Sequence, residues 1–111
     1  MIIGFIGAIV VLFIMIIYLY REAYATRIYR FHRPGCSACE AMTKEWTLFK
    51  SNTYGMIKVI DVDTSKAENE LISNDFGVDT VPTIVKVNDD MRTAYTGERT
   101  SAAISEWANK E

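Results

Sequence analysis

The chain has 111 residues, half of them hydrophobic, with a formal net charge of −2, which leaves room for one small domain. There is no basic stripe of the kind that nucleic-acid binding requires, so nucleic acid is not an expected partner. Two cysteines are too few for a disulfide-stapled secreted fold.

The apolar residues are concentrated at the N-terminus. Ile2 to Tyr20 carries no charge, and thirteen of those nineteen residues are Ile, Leu, Val or Phe. As a helix the run would span about 28 Å, close to the hydrocarbon thickness of a bilayer. The expectation is a transmembrane anchor over residues 1–20, touching membrane lipid through residues 2–20, with Tyr18 and Tyr20 at the interface. A signal peptide cleaved near Ala23-Tyr24-Ala25 is the rival reading. Against it stand the length of the run and the lack of a basic residue before it. Arg21, Arg27, Arg30 and Arg33 all follow the run. The positive-inside rule therefore puts the domain of this single-pass protein on the cytoplasmic side. Residues 21–26, without Gly or Pro, form a short link to a domain over residues 27–111.

Residues 27–32 read as a strand ended by Pro34-Gly35. A helix follows, with Cys39, Met42, Trp46 and Phe49 at helical spacing as its buried stripe. Residues 52–55 form a turn, and 56–62 a second strand. Ser65-Lys66-Ala67-Glu68 has the pattern of a capping box. It opens a helix whose expected inner face is Leu71, Ile72 and Phe76, with Gly77 as its C-cap. Residues 83–87 and 91–96 form two strands joined by Asn88-Asp89-Asp90, a short turn that makes them an antiparallel hairpin. Thr100 caps a last helix with Ile104, Trp107 and Ala108 inside. The order is β-α-β-α-β-β-α. Its first two strands are joined through a helix, so they are expected to be parallel.

The chemistry centres on Pro34-Gly35-Cys36-Ser37-Ala38-Cys39, where the first strand meets the first helix of the domain. A cysteine in the first helical turn faces unpaired N–H groups and the positive end of the helix dipole. That favours thiolate, the nucleophilic form. Cys39 lies one turn on and can reach back to resolve a mixed disulfide. His32, Arg33 and Glu40 are the nearby charged groups that could tune the pair. Two other readings stand beside this one. The cysteines could be inert and buried. They could also hold a metal or cluster shared across a dimer, because a single chain with one His offers too few ligands for a structural zinc site.

Three stretches together resemble the thioredoxin family, over roughly residues 27–111. They are the strand leading to Cys36-Ser37-Ala38-Cys39, Ile60-Asp61-Val62-Asp63-Thr64, and Phe76-Gly77-Val78-Asp79-Thr80-Val81-Pro82-Thr83-Ile84. The resemblance implies a minimal thioredoxin-like α/β fold with a mixed four-stranded sheet, here behind one N-terminal transmembrane helix. It implies a cis-proline at Pro82 facing the dithiol. A cis Val81–Pro82 bond leaves the Val81 backbone free to pair with an extended substrate; a trans-proline that only begins a strand is the alternative. Gly97 matches a family position where bare backbone admits substrate, or it simply ends a strand. The resemblance implies a protein thiol–disulfide oxidoreductase with Cys36 as nucleophile and Cys39 as resolving residue. Val81, Pro82 and Gly97 would bind substrate. The redox group would be the cysteine pair itself, with no external cofactor and no metal. The partners would be proteins with thiols or disulfides, and an unknown redox partner to recharge the dithiol. Three departures from the family stand out. Gly35 replaces a tryptophan, Ser37-Ala38 replaces Gly-Pro, and Arg30 stands where many members bury a carboxylate beneath the second cysteine. The first and the third of these support the alternative of a redox-inactive docking module.

Overall fold

The computed structural model describes residues 2–23, 26–53 and 55–110, with side chains at 4–19, 26–53 and 55–110. Helix α1 (Ile2–Ala23) precedes β1 (Thr26–His32), α2 (Ser37–Asn52), β2 (Ile57–Asp63), α3 (Glu70–Asp75), β3 (Thr83–Asn88), β4 (Met91–Ala94) and α4 (Ser101–Ala108). A 3₁₀ turn, Ala67–Asn69, leads into α3. From β1 onward the order is the expected one.

The N-terminal helix requires a correction. Among the described residues, no helix is long and apolar enough to cross a membrane. Positions 2 to 20 of α1 carry no charge. Beyond them the helix runs on through Arg21 and Glu22. The expected anchor over residues 1–20, the lipid contact through residues 2–20 and the single-pass placement with a cytoplasmic domain are corrected accordingly. The side chain of Tyr20, and Tyr24 and Ala25 of the alternative cleavage sequence, lie outside the described residues.

The sheet order is β2-β1-β3-β4. β1 runs parallel to β2, which sets Arg30 beside Asp61 and His32 beside Asp63. The α2 crossover permits that pairing, since parallel neighbours cannot be joined by a tight turn. β3 is antiparallel to β1, and β3 and β4 form the expected hairpin. β1 is central because its alternation supplies two apolar faces. Ile28 points to one side, where it packs with Met42, Trp46 and Phe49 of α2 and with Ile104 and Ala108 of α4. Tyr29 and Phe31 point to the other, against Val62, Val85, Val87, Ile72 and Phe76. The result is a sheet with α2 and α4 on one face and α3 on the other.

Two local expectations around α3 fail. Ser65 does not cap a helix. Its N–H and its hydroxyl both donate to Asp63 Oδ1, at 2.9 and 2.6 Å, so an Asx-type turn takes the hydroxyl that a capping box would need. Leu71 is 84% exposed, while Ile72 and Phe76 pack inward as expected. The far end of α3 behaves as anticipated. Gly77 has φ +62, and the N–H groups of Gly77 and Val78 donate to the carbonyls of Asn74 and Ser73 at 3.0 and 3.1 Å, a Schellman arrangement. Thr100 caps α4, accepting from the Ala103 N–H.

Candidate active site

β1 ends at His32, the chain turns through Pro34 and Gly35, and α2 begins at Ser37. Gly35 permits that turn with φ +77. Cys36 is the N-cap of α2, in extended conformation, and its sulfur accepts the Cys39 N–H at 3.1 Å. A sulfur therefore takes the place that a Ser or Asp oxygen usually fills, satisfying one of the orphan donors of the helix start. Cys36 and Cys39 are joined as a disulfide, with Cα atoms 5.2 Å apart.

The two sulfurs differ in access. Cys36 is half-buried, and Cys39 is 4% exposed, packed within the buried stripe of α2. An attacking group from solution reaches Cys36 first. The Val81–Pro82 peptide is cis, and the Val81 carbonyl oxygen lies 3.7 Å from Cys36 Sγ. In the disulfide that sulfur has no proton to donate; once reduced, it can. The structure thus brings Cys36, Cys39, Val81 and Pro82 together from two segments far apart in sequence.

The other expected site residues are placed as follows. Arg33 is exposed and lines a cleft that it shares with Val81. Glu40 is exposed in the first turn of α2, where a carboxylate suits the positive helix end. The His32 carbonyl accepts from the Thr64 N–H at 2.8 Å and from its hydroxyl at 3.2 Å. The Asp63 carboxyl is held below the usual range, chiefly by the Ser65 hydroxyl and N–H, with smaller help from the charges of His32 and Lys66. Gly97 is exposed, and the Tyr95 side chain lies across it. A Cβ there would sit 2.6 Å from Tyr95 Oη, and that hydroxyl donates to the Glu98 carbonyl. The steric need for glycine at this point therefore comes from Tyr95.

A polar cluster behind α2 was not foreseen as a unit. Arg30 is 7% exposed on the α2 side of the sheet. Its guanidinium lies 5.4 Å from the Trp46 ring centre. Its Nε is 3.4 Å from Asp61 Oδ1, within ion-pair range but without hydrogen-bond alignment. Asp61 also accepts from Trp46 Nε1 at 2.8 Å and from Lys50 Nζ at 2.9 Å. Burial pushes the Arg30 pKa down, against the pull of Asp61. Burial pushes the Asp61 carboxyl up. Bonds from Lys50 and Trp46, with the charges of Lys50 and Arg30, outweigh it and leave the carboxyl below its usual value. The sequence signal was there in part: an arginine on one strand and a carboxylate on a strand expected to lie beside it.

A four-stranded mixed sheet between α2 plus α4 and α3, with a disulfide at a helix start facing a cis-proline loop, defines the thioredoxin-like α/β class. The family model described as Thioredoxin matches residues 21–110. The chain belongs to the thioredoxin family. It is 30% identical over 82 residues to "Protein disulfide isomerase-like 1-3" of Arabidopsis thaliana; the match covers 73% of this chain but only 14% of that protein. The fold is similar to the J-Trx1 fragment of ERdj5, with a TM-score of 0.68, 19% identity and coverage of 81% of this chain and 45% of that one. It is also similar to the first thioredoxin domain of mouse protein disulfide-isomerase A4, with a TM-score of 0.67, 23% identity and coverage of 80% and 64%. The chain carries a cysteine pair at this position, closed as the Cys36–Cys39 disulfide. Among the described residues, no group of three or more His, Cys, Asp or Glu side chains could hold a metal ion.

Proposed function

We propose that the chain is a thiol–disulfide oxidoreductase acting on protein disulfides and thiols, with residues 27–111 as its working domain and 21–26 as the lead-in. The observation that carries this reading is the pairing of an accessible Cys36 at the start of α2 with a hidden Cys39 one turn later. The helix start stabilises negative charge on the Cys36 sulfur through the Cys39 N–H and the helix dipole. In the reducing direction, the Cys36 thiolate attacks one sulfur of a substrate disulfide. A Cys36–substrate bond forms, and the other substrate sulfur leaves as a thiolate that takes up a proton. Cys39, deprotonated, then attacks Cys36 Sγ and expels the second substrate thiol. The substrate gains two electrons, and the cysteine pair becomes the disulfide. The oxidising direction is the same sequence reversed.

Val81 and Pro82 dock the substrate backbone, and Gly97 is a further candidate contact. His32 and Arg33 are the candidates for tuning Cys36. No carboxylate lies on β1 to receive the Cys39 proton, so it passes to Glu40, to water or to the departing substrate thiolate. A redox partner must recharge the pair after each turnover.

The test is turnover of insulin disulfides with dithiothreitol as the reductant, together with trapping. The native chain is expected to accelerate reduction. The Cys39→Ala variant is expected to accumulate a mixed disulfide that dithiothreitol releases, and Cys36→Ala to be inert. Absence of both turnover and trapping, with partner binding retained when both cysteines are replaced, would establish the docking-module alternative instead.

A further inference from the structure

In the cluster behind α2, the Nε and Nη1 atoms of Arg30 are buried without a hydrogen-bond partner among the described residues. Donors left in that state cost free energy, and a native protein that keeps them needs a physical reason. A guanidinium cannot shed its proton to escape the cost. Arg30 and Lys50 face the one carboxylate of Asp61 at 3.4 and 2.9 Å, so positive charge is in excess there.

Cys39 belongs to the same layer. It lies on the buried stripe of α2 with Met42 and Trp46, and the Arg30 guanidinium stands 5.4 Å from the Trp46 ring centre. Two helical turns separate Cys39 from Trp46, about 10 Å along the axis. Over such a distance a charge in the protein interior is screened far less than one in water. Glu40, next to Cys39 in sequence, is exposed, and solvent screens it. In the disulfide Cys39 is neutral. Breaking the disulfide turns its sulfur into an anion in a layer that holds unsatisfied cationic donors.

We propose that Arg30 is a positioning residue for the thiol–disulfide reaction: its buried positive charge favours the Cys39 thiolate and biases the pair towards giving its disulfide away. The inference rests on the oxidoreductase reading. In that direction a substrate thiolate attacks Cys36 Sγ, the Cys36–Cys39 bond breaks, and Cys39 leaves with the electron pair. A leaving thiol of lower pKa leaves faster. The second substrate thiolate then attacks the substrate sulfur of the mixed disulfide and expels Cys36. The substrate loses two electrons and two protons. The cysteine pair gains the electrons, and the protons pass to water or to the reduced pair. A low-molecular-weight disulfide then restores the pair. A reduced form stabilised in this way makes the couple more oxidising.

The experiment equilibrates the full chain with reduced and oxidised glutathione at neutral pH and measures the disulfide fraction in the native protein, Arg30→Met, Arg30→Lys and Asp61→Asn. In Arg30→Met an apolar side chain takes the place against Trp46, and Asp61 keeps its bonds from Trp46 and Lys50. Arg30→Met is expected to shift the equilibrium about tenfold towards the disulfide, the order for one charge at this distance. That corresponds to a potential lower by about 30 mV. Arg30→Lys should stay close to the native value. Asp61→Asn, which removes the opposing charge, should shift the equilibrium the other way. Loss of packing alone gives no reason for opposite signs at two residues of one cluster. Shifts of the same sign, no shift, or Arg30→Lys behaving like Arg30→Met overturn the role of Arg30 and leave the oxidoreductase reading intact. If Arg30→Met does not fold, Asp61→Asn decides alone, and a value unchanged or moved towards the disulfide overturns the role. No exchange with glutathione in any of the chains overturns the oxidoreductase reading and the role of Arg30 with it.

Discussion

At the level of single residues, the cluster around Asp61 is the most consequential feature that no linear pattern reveals. Arg30 is buried, and its nearest opposite charge is one carboxylate oxygen that also serves Trp46. Removing that charge leaves a desolvated guanidinium uncompensated. Asp61→Asn is therefore expected to cost about 2 kcal/mol at neutral pH, below the range for a fully buried pair because Asp61 is partly exposed. The sign of the pH effect follows from the lowered carboxyl of Asp61. A depressed folded value contributes stability that is complete above the ordinary carboxylate pKa and lost as pH falls through the folded one. The gap between the native chain and Asp61→Asn should then be widest near pH 7 and should close below about pH 4. Urea unfolding at several pH values checks this. Asp63 adds its own acid sensitivity to both proteins, so the difference between them isolates Asp61. A gap that stayed constant down to pH 2 would mean the charge on Asp61 does not matter to Arg30.

Among the elements, α3 and α2 show what the sequence makes legible and what it hides. The start of α2 was legible because its signals are local: a strand, a Pro-Gly turn, then an apolar stripe at Cys39, Met42, Trp46 and Phe49 that is buried as expected. The end of α3 was legible for the same reason. Its start was not, because the Asp63 side chain competes for Ser65, and nothing in Ser65-Lys66-Ala67-Glu68 announces a rival two residues upstream. With six residues, α3 is also too short for its phase to be fixed by periodicity, so Leu71 could be assigned inward. Arg30 meets Asp61 only through the register of β1 with β2. The cleft beside Val81 is assembled from three segments, and no local motif records it. Gly77 gives this scale its prediction. It adopts φ +62 with no heavy atom within 4 Å of a built Cβ, so Gly77→Ala meets a conformational cost and no clash. The expected loss is about 1 kcal/mol, or a fall in Tm of about 4–8 °C for a domain of this size. A thermal melt with Tm unchanged would show that the Schellman turn does not hold the end of α3.

For the molecule as a whole, the question is how much of the chain the fold needs. Both apolar clusters are built from β1 onward, and among the described residues neither contains one of α1. The described side chains of α1 are exposed along its length, Phe5 at 70% and Leu12 at 60% among them. The sheet closes without α1: β1 finds both its neighbours in β2 and β3, and the disulfide is set by the far end of β1. A helix that adds no side chain to either cluster adds little to the cooperative unfolding of the rest. A chain beginning at Thr26 is therefore expected to keep its Tm within about 3 °C of the full chain, less than 1 kcal/mol of stability at this size. It should also keep its rate of insulin reduction within about twofold, since a twofold change is less than half of the ~1.4 kcal/mol that separates a factor of ten. Circular dichroism melts of both chains in the same buffer, with turnover measured alongside, make the comparison. A larger fall in Tm would show that α1 is a structural part of the domain. A loss of turnover with Tm retained would instead place α1 in the reaction itself, as a surface that substrate or redox partner must touch.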